Sequence, residues 1–249
     1  MTAKTPTSTD LQRRLEALPP ALSIRIGHVV AARAALRLLP PALAFASGPS
    51  RGEIPLVPFV RCHIATAAWV SAPQQVPLSH VHAAFAALQA ARALNAKRSK
   101  RRAPGSAKAA VAIGAAQSAA LTLTVDRQPY AAMSAGNQMI HASDRALKEA
   151  DLAASIIADV EAGEAGQEPW TLPLWTGAPD PWAKQWSAAE GLFADHDGWG
   201  VMRALYEDAS AGRVVDAALL QTLARRPDED WLRPETAVLD WIASERGDP

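Results

Sequence analysis

Residues 21–39 read ALSIRIGHVVAARAALRLL, between Pro19-Pro20 and Pro40-Pro41. Leu22, Ile26, Val29 and Leu36 recur at helical spacing and, at 100° per residue, fall on one arc. The stretch therefore predicts a helix that buries one face and stops at the prolines. Arg33 lies inside the apolar arc and Arg37 on its edge. An arginine in such a stripe is either paired within the fold or turned toward an anionic partner. The pairing partner is expected inside the chain, because acids are abundant further on.

The same reading extends outward. Of 249 residues, 55 are alanine, the residue with the highest helix propensity and one depleted in strands. This argues against an all-β fold and for an all-α, multi-helix bundle. A chain this long can bury a sizeable core without staples. The single cysteine, Cys62, excludes an internal disulfide framework and a cysteine-based zinc site. The polar opening residues carry Asp10 and Glu16, unlike a secretory signal. The uncharged stretch 109–125 is short for a bilayer and contains Gln117, Ser118, Thr122 and Thr124, so it reads as a buried core helix. Residues 28–47 are interrupted by Arg33, Arg37 and Pro40-Pro41. A cytoplasmic protein without membrane spans is the expectation.

Charge is unevenly placed. The chain holds 25 basic and 25 acidic residues, but residues 1–125 carry 15 bases and 3 acids, and no acid occurs between Glu53 and Asp126. Zero net charge thus conceals a part at +12 and a part at −12, an asymmetry that points to partners or to mutual attraction. Helical periodicity marks segments 10–18, 21–39, 59–70, 80–96, 107–125 and 130–160, with Ser79 a suitable N-cap for the fourth. The last carries Met133, Ile140, Leu147 and Ala154 at seven-residue steps. Residues 163–181 are dense in proline and glycine and read as a linker. Four short helices follow, at 182–193, 198–211, 214–226 and 234–244, with Asp197 an N-cap and Gly212 a C′ position. The expected organisation is a basic, Ala-rich helical domain over 1–162, a Pro/Trp linker over 163–181, and an acidic, Trp-rich helical part over 182–249.

The C-terminal third carries Pro181-Trp182, then Trp199 and Tyr206 with Gly212-Arg213, then Pro227-Asp228-Glu229-Asp230-Trp231, and a last amphipathic segment 237–242. With the stretch Val30–Pro40, it resembles uncharacterised helical proteobacterial proteins with a Trp-rich C-terminal part. The resemblance implies a helical fold and an association with bacterial defence or a mobile element. It supplies no catalytic residues.

Chemistry-bearing motifs are sparse. No histidine pair has the helical i, i+4 spacing of a zinc protease. His80 and His82 diverge on a helix, and Cys62-His63 are adjacent and diverge likewise, so Cys62 reads as a buried small hydrophobe. Asp195-His196-Asp197 is the most polar histidine environment, yet it reads as a helix junction. No phosphate-binding glycine loop and no GxSxG are present. No cofactor or metal is expected. Lys97, Arg98, Lys100, Arg101 and Arg102 place five bases in six residues, attractive to nucleic acid but without interleaved aromatics for stacking. Seven of the eight tryptophans fall after residue 169. Trp182 and Trp186 are spaced to stack, and Trp170 and Trp175 dock the linker or serve as interface aromatics. The expectation is a non-enzymatic helical binding or adaptor protein with a protein partner. Arg33, Arg37 and the basic run are its partner or anion-binding residues. The alternative is nucleic-acid binding by the basic part. Self-association stays open.

Overall fold

A computed structural model describes residues 8–49, 51, 54–73, 75–98, 106–124, 152–175, 179–213 and 215–247. The protein is all-α, and among the described residues no strand occurs. The helices are α1 (Ser8–Ala17), α2 (Pro20–Arg37), α3 (Leu39–Ala46), α4 (Leu56–Ser71), α5 (Leu78–Arg98), α6 (Ser106–Thr124) and α7 (Leu152–Glu164). They continue with α8 (Ala183–Ala188), α9 (Glu190–Asp195), α10 (Gly200–Ala211), α11 (Ala217–Ala224), α12 (Asp228–Trp231) and α13 (Glu235–Arg246). Short 3-10 turns occupy Pro169–Thr171 and Asp197–Trp199.

Helix α2 is the hub, packing on α1, α4, α6 and α7. Its burial is almost all-round from Val29 to Arg37, as expected of a helix apolar on more than one face. Helix α6 is likewise buried through Ala109, Ala112, Ala115, Ala116, Ala119 and Ala120. Methyl-sized side chains let α2, α4 and α6 approach closely, since interaxial distance follows the side chains at the contact. The C-terminal helices close over this bundle: α8 lies on α3, α11 on α4, and α13 on the 3-10 turn at 197–199. The segment Pro20–Ala46 is long and apolar enough to cross a membrane by length and composition, but 89% of its most apolar window is buried inside the protein.

Several expected boundaries move. Pro40 and Pro41 do not end helical structure. Helix α2 stops at Arg37, and the two prolines sit in the first turn of α3, where a missing N–H costs nothing. Pro58 similarly falls in the first turn of α4. Ser79 lies inside α5, which begins at Leu78, rather than capping it. The segment 182–193 is two helices, broken at Ala189. Asp216 caps α11 by accepting from Leu219 N at 3.0 Å. Gly212 takes the left-handed conformation after α10, φ +67°, as its C′ placement requires. Residues 125–151, which hold Met133, Ile140 and Leu147, lie outside the described residues.

Candidate functional site

Arg33 and Arg37 stand one turn apart on α2, both fully buried, and converge on one carboxylate of α7. Arg33 Nε lies 3.0 Å from Asp159 Oδ1, and Arg37 Nη1 lies 2.7 Å from Oδ2. Asp159 is equally buried. The remaining nitrogens donate to backbone carbonyls. Arg33 Nη1 and Nη2 reach Leu172 O and Pro173 O, both at 2.8 Å. Arg37 Nε reaches Leu174 O at 2.7 Å and its Nη2 reaches Ser155 O at 3.3 Å. Burial pulls the Arg33 guanidinium below its ordinary pKa, while Asp159 raises it and neighbouring Arg37 lowers it further. Arg33 stays cationic, as a guanidinium does in a protein. The cluster thus fastens three consecutive carbonyls of the Pro/Trp segment to α2.

Trp170 and Trp175 complete the fastening. Trp170 is buried. The Arg37 guanidinium carbon lies 5.8 Å above the Trp175 ring, within cation–π range. Trp175 Nε1 donates to Tyr206 Oη at 3.4 Å, and Tyr206 Oη donates to Asp180 Oδ2 at 2.7 Å. Burial, with the Asp180 charge, pushes the Tyr206 hydroxyl up, so it stays a donor. Trp186 takes Tyr206 and Phe193 as ring partners, at 4.3 and 5.0 Å, where the i, i+4 spacing suggested Trp182. Both linker tryptophans therefore serve contacts within the chain.

The oppositely charged parts meet through ion pairs. Arg14 faces Glu161 and Glu164 at 2.7 and 3.2 Å, and Arg51 bridges Asp195 and Glu235 at 2.9 and 2.5 Å. Arg25 pairs with Glu168, and Arg61 with Asp228. Arg61 also lies 5.5 Å over Trp231, which meets Trp241 edge-on. Arg92 differs: its described partner is a neutral amide, Gln117 Oε1, at 2.6 Å. Lys97 and Arg98 end α5. Their side chains, with Lys100, Arg101 and Arg102, lie outside the described residues.

The histidine and cysteine candidates resolve into structural roles. His196, rather than Asp197, caps the 3-10 turn: its Nδ1 accepts from Gly198 N at 3.0 Å, which leaves Nε2–H to donate to Asp240 Oδ1 at 3.0 Å. Asp195 is engaged by Arg51. A Cβ on Gly198 would stand 2.3 Å from Leu239 O, so glycine is what lets this turn touch α13. Cys62 donates to Ala116 O at 3.3 Å, and burial pushes its thiol up to about 12. His63 is buried edge-on against Phe59, and burial pulls its pKa down to about 3. Cys62, His63, Thr66 and Trp170 border a loosely packed spot among alanines of α2, α4 and α6. It consists of gaps narrower than a water molecule and reads as packing space rather than a ligand chamber. Among the described residues no His/Cys/Asp/Glu group is placed to hold a metal ion.

No protein-family model matches the chain, and neither the curated proteins nor the solved structures provide a significant match.

Proposed function

We propose that this is a non-enzymatic helical binding or adaptor protein that engages an acidic protein partner through the basic end of the α5–α6 hairpin. The observation that carries the reading is how the rest of the basic surplus is used. Arg14, Arg25, Arg33, Arg37, Arg51 and Arg61 each face an acid of the second part of the chain. The other bases of residues 1–125 are concentrated, in sequence, between Arg92 and Lys108, in a stretch without an acid. Such a concentration raises the local potential and steers anionic partners. Arg33 and Arg37 are then internal fasteners rather than anion-binding residues, and the interface bases are Lys97, Arg98, Lys100, Arg101 and Arg102. A cytoplasmic location and the bacterial defence or mobile-element setting belong to the same proposal.

Nucleic acid is the second reading, favoured by five bases in six residues. The lack of an aromatic among them removes the stacking that single strands exploit. The deciding experiment titrates a fluorescent Glu-rich peptide, a single-stranded oligonucleotide and a duplex into the protein at low salt. It is repeated with all five bases changed to Gln. Peptide binding that salt weakens and the Gln variant loses is expected. Oligonucleotide binding alone replaces the first reading by the second, and no binding of any probe defeats both.

A further inference from the structure

The 3-10 turn at Asp197–Trp199 sits on α13 by its backbone. Gly198 is buried, with no room for a Cβ before Leu239 O, and Trp199 is buried beside it. The buried Gly198 N–H has His196 Nδ1 as its acceptor, 3.0 Å away. A ring nitrogen accepts only while it carries no proton. The usual capping residues, Ser, Thr, Asp and Asn, offer an oxygen that stays an acceptor across neutral pH. Imidazole is the side chain that ordinarily changes charge between about pH 5 and 8. The His196 side chain is 23% exposed, so protons reach it from solvent.

The surroundings make the two ring nitrogens unequal. Asp240 of α13 takes Nε2–H at 3.0 Å, and a carboxylate suits the neutral ring and the imidazolium alike. Charging the ring therefore keeps the Nε2 contact and breaks the Nδ1 one. Asp195, which ends α9, and Asp197 flank the ring in sequence. Asp195 is held by Arg51, which also holds Glu235 of α13. Arg246 of α13 donates to Asp197 O at 3.4 Å. On α10, Arg203 is engaged by Glu190 and Glu207.

We propose that His196 is a proton-operated cap. A proton taken from solvent onto Nδ1 breaks the bond to Gly198, leaves that buried amide without its acceptor, and loosens the turn from α13. Arg51 bridges the two elements that flank the turn, so the switch lies at a junction of the basic and acidic parts. It operates whether or not the protein binds an acidic partner.

The test is nuclear magnetic resonance of the full, isotope-labelled chain from about pH 8 to about pH 5. Exchange of each N–H is compared with that of an unstructured peptide at the same pH, and the imidazole signals report the charge of His196. Protection of the Gly198 amide and of the Trp199 indole N–H should fall about fivefold, the scale of one lost cap. The fall should cover the pH interval in which the His196 ring charges. His63, neutral down to about pH 3, is silent in this range. His196→Asn places an amide oxygen near the position of Nδ1 and does not titrate, so its protection should stay constant with pH. Asp240→Asn removes the carboxylate that meets the charged ring and should move the loss to lower pH. Constant protection of either N–H while the ring takes up its proton would overturn the proposal. So would a ring that stays neutral throughout, or a His196→Asn protein with the parent's pH dependence. The unmodified protein supplies the first two of these results by itself, whatever the variants do to folding.

Discussion

His63 shows how one buried side chain sets a pH dependence. Its pKa falls from 6.5 to about 3 in the fold because burial disfavours the imidazolium. The unfolded chain takes up a proton below pH 6.5 and the folded chain does not. The stability that comes from a neutral His63 is therefore complete above pH 6.5. It is lost as pH falls toward 3, by about 1.4 kcal/mol per pH unit from this group. The difference between the urea stabilities of the parent and His63→Leu, followed from pH 7 to pH 4, should show that slope. Curves that run parallel would contradict it. Asp159 poses the opposite problem, a buried charge that is satisfied. Asp159→Asn leaves Arg33 and Arg37 side by side without a counter-charge and should cost about 3–5 kcal/mol in urea unfolding. Replacing all three residues by apolar ones should not restore stability. The carbonyls of Leu172, Pro173, Leu174 and Ser155 would lose their donors, and an orphaned buried carbonyl costs about 1–3 kcal/mol.

Among the elements, the Pro/Trp segment departs furthest from what its composition suggests. Proline and glycine mark it as a connection, and its described residues have a connection's backbone, with a 3-10 turn at Pro169–Thr171. It is nevertheless packed on both sides. Arg33 and Arg37 take its carbonyls, and Leu174 N donates to Ala209 O at 3.0 Å at the end of α10. Gly212 is the point of closest approach. It is left-handed, and a Cβ there would stand 2.8 Å from Pro173 Cδ and N. Gly212→Ala should therefore cost more than the roughly 1–2 kcal/mol of a left-handed alanine, because the segment must also move. Gly247→Ala is the control. It has a similar φ of +73° with nothing near its Cβ, and should show only the conformational cost. Equal melting temperatures for the two variants would argue that the segment is not held against α10.

For the whole molecule, the two charged parts share ion pairs and a continuous apolar core. Of the six arginines that pair with acids of residues 126–249, four, Arg14, Arg25, Arg51 and Arg61, do so through pairs with at least one half-buried or exposed member. Each is worth about 0–1 kcal/mol and is screened by salt. Cooperative unfolding is the consequence. Tryptophan fluorescence, with seven of eight indoles after residue 169, reports the second part, and far-UV circular dichroism reports the whole chain. Their urea midpoints should coincide, as for a single two-state unit. Both should drop modestly and together when salt screens the pairs. Separate midpoints would show two independently stable parts.

That the protein is all-α was legible in residue type and spacing alone. Alanine content and a 3.6-residue apolar period act locally, through propensity and one-sided burial, and need no knowledge of the neighbours. The segregation of charge and the anomaly of Arg33 in an apolar stripe were legible for the same reason. Which acid meets that arginine was settled by packing, since Asp159 is more than a hundred residues away and competes with many other carboxylates. Packing alone settled that Trp186 seats on Tyr206, that His196 rather than Asp197 caps its turn, and that Pro40-Pro41 opens a helix instead of closing one. Each of these depends on groups brought together through space. Sequence spacing lists the candidates for such a contact, and packing selects the one whose burial and hydrogen bonds can be satisfied together.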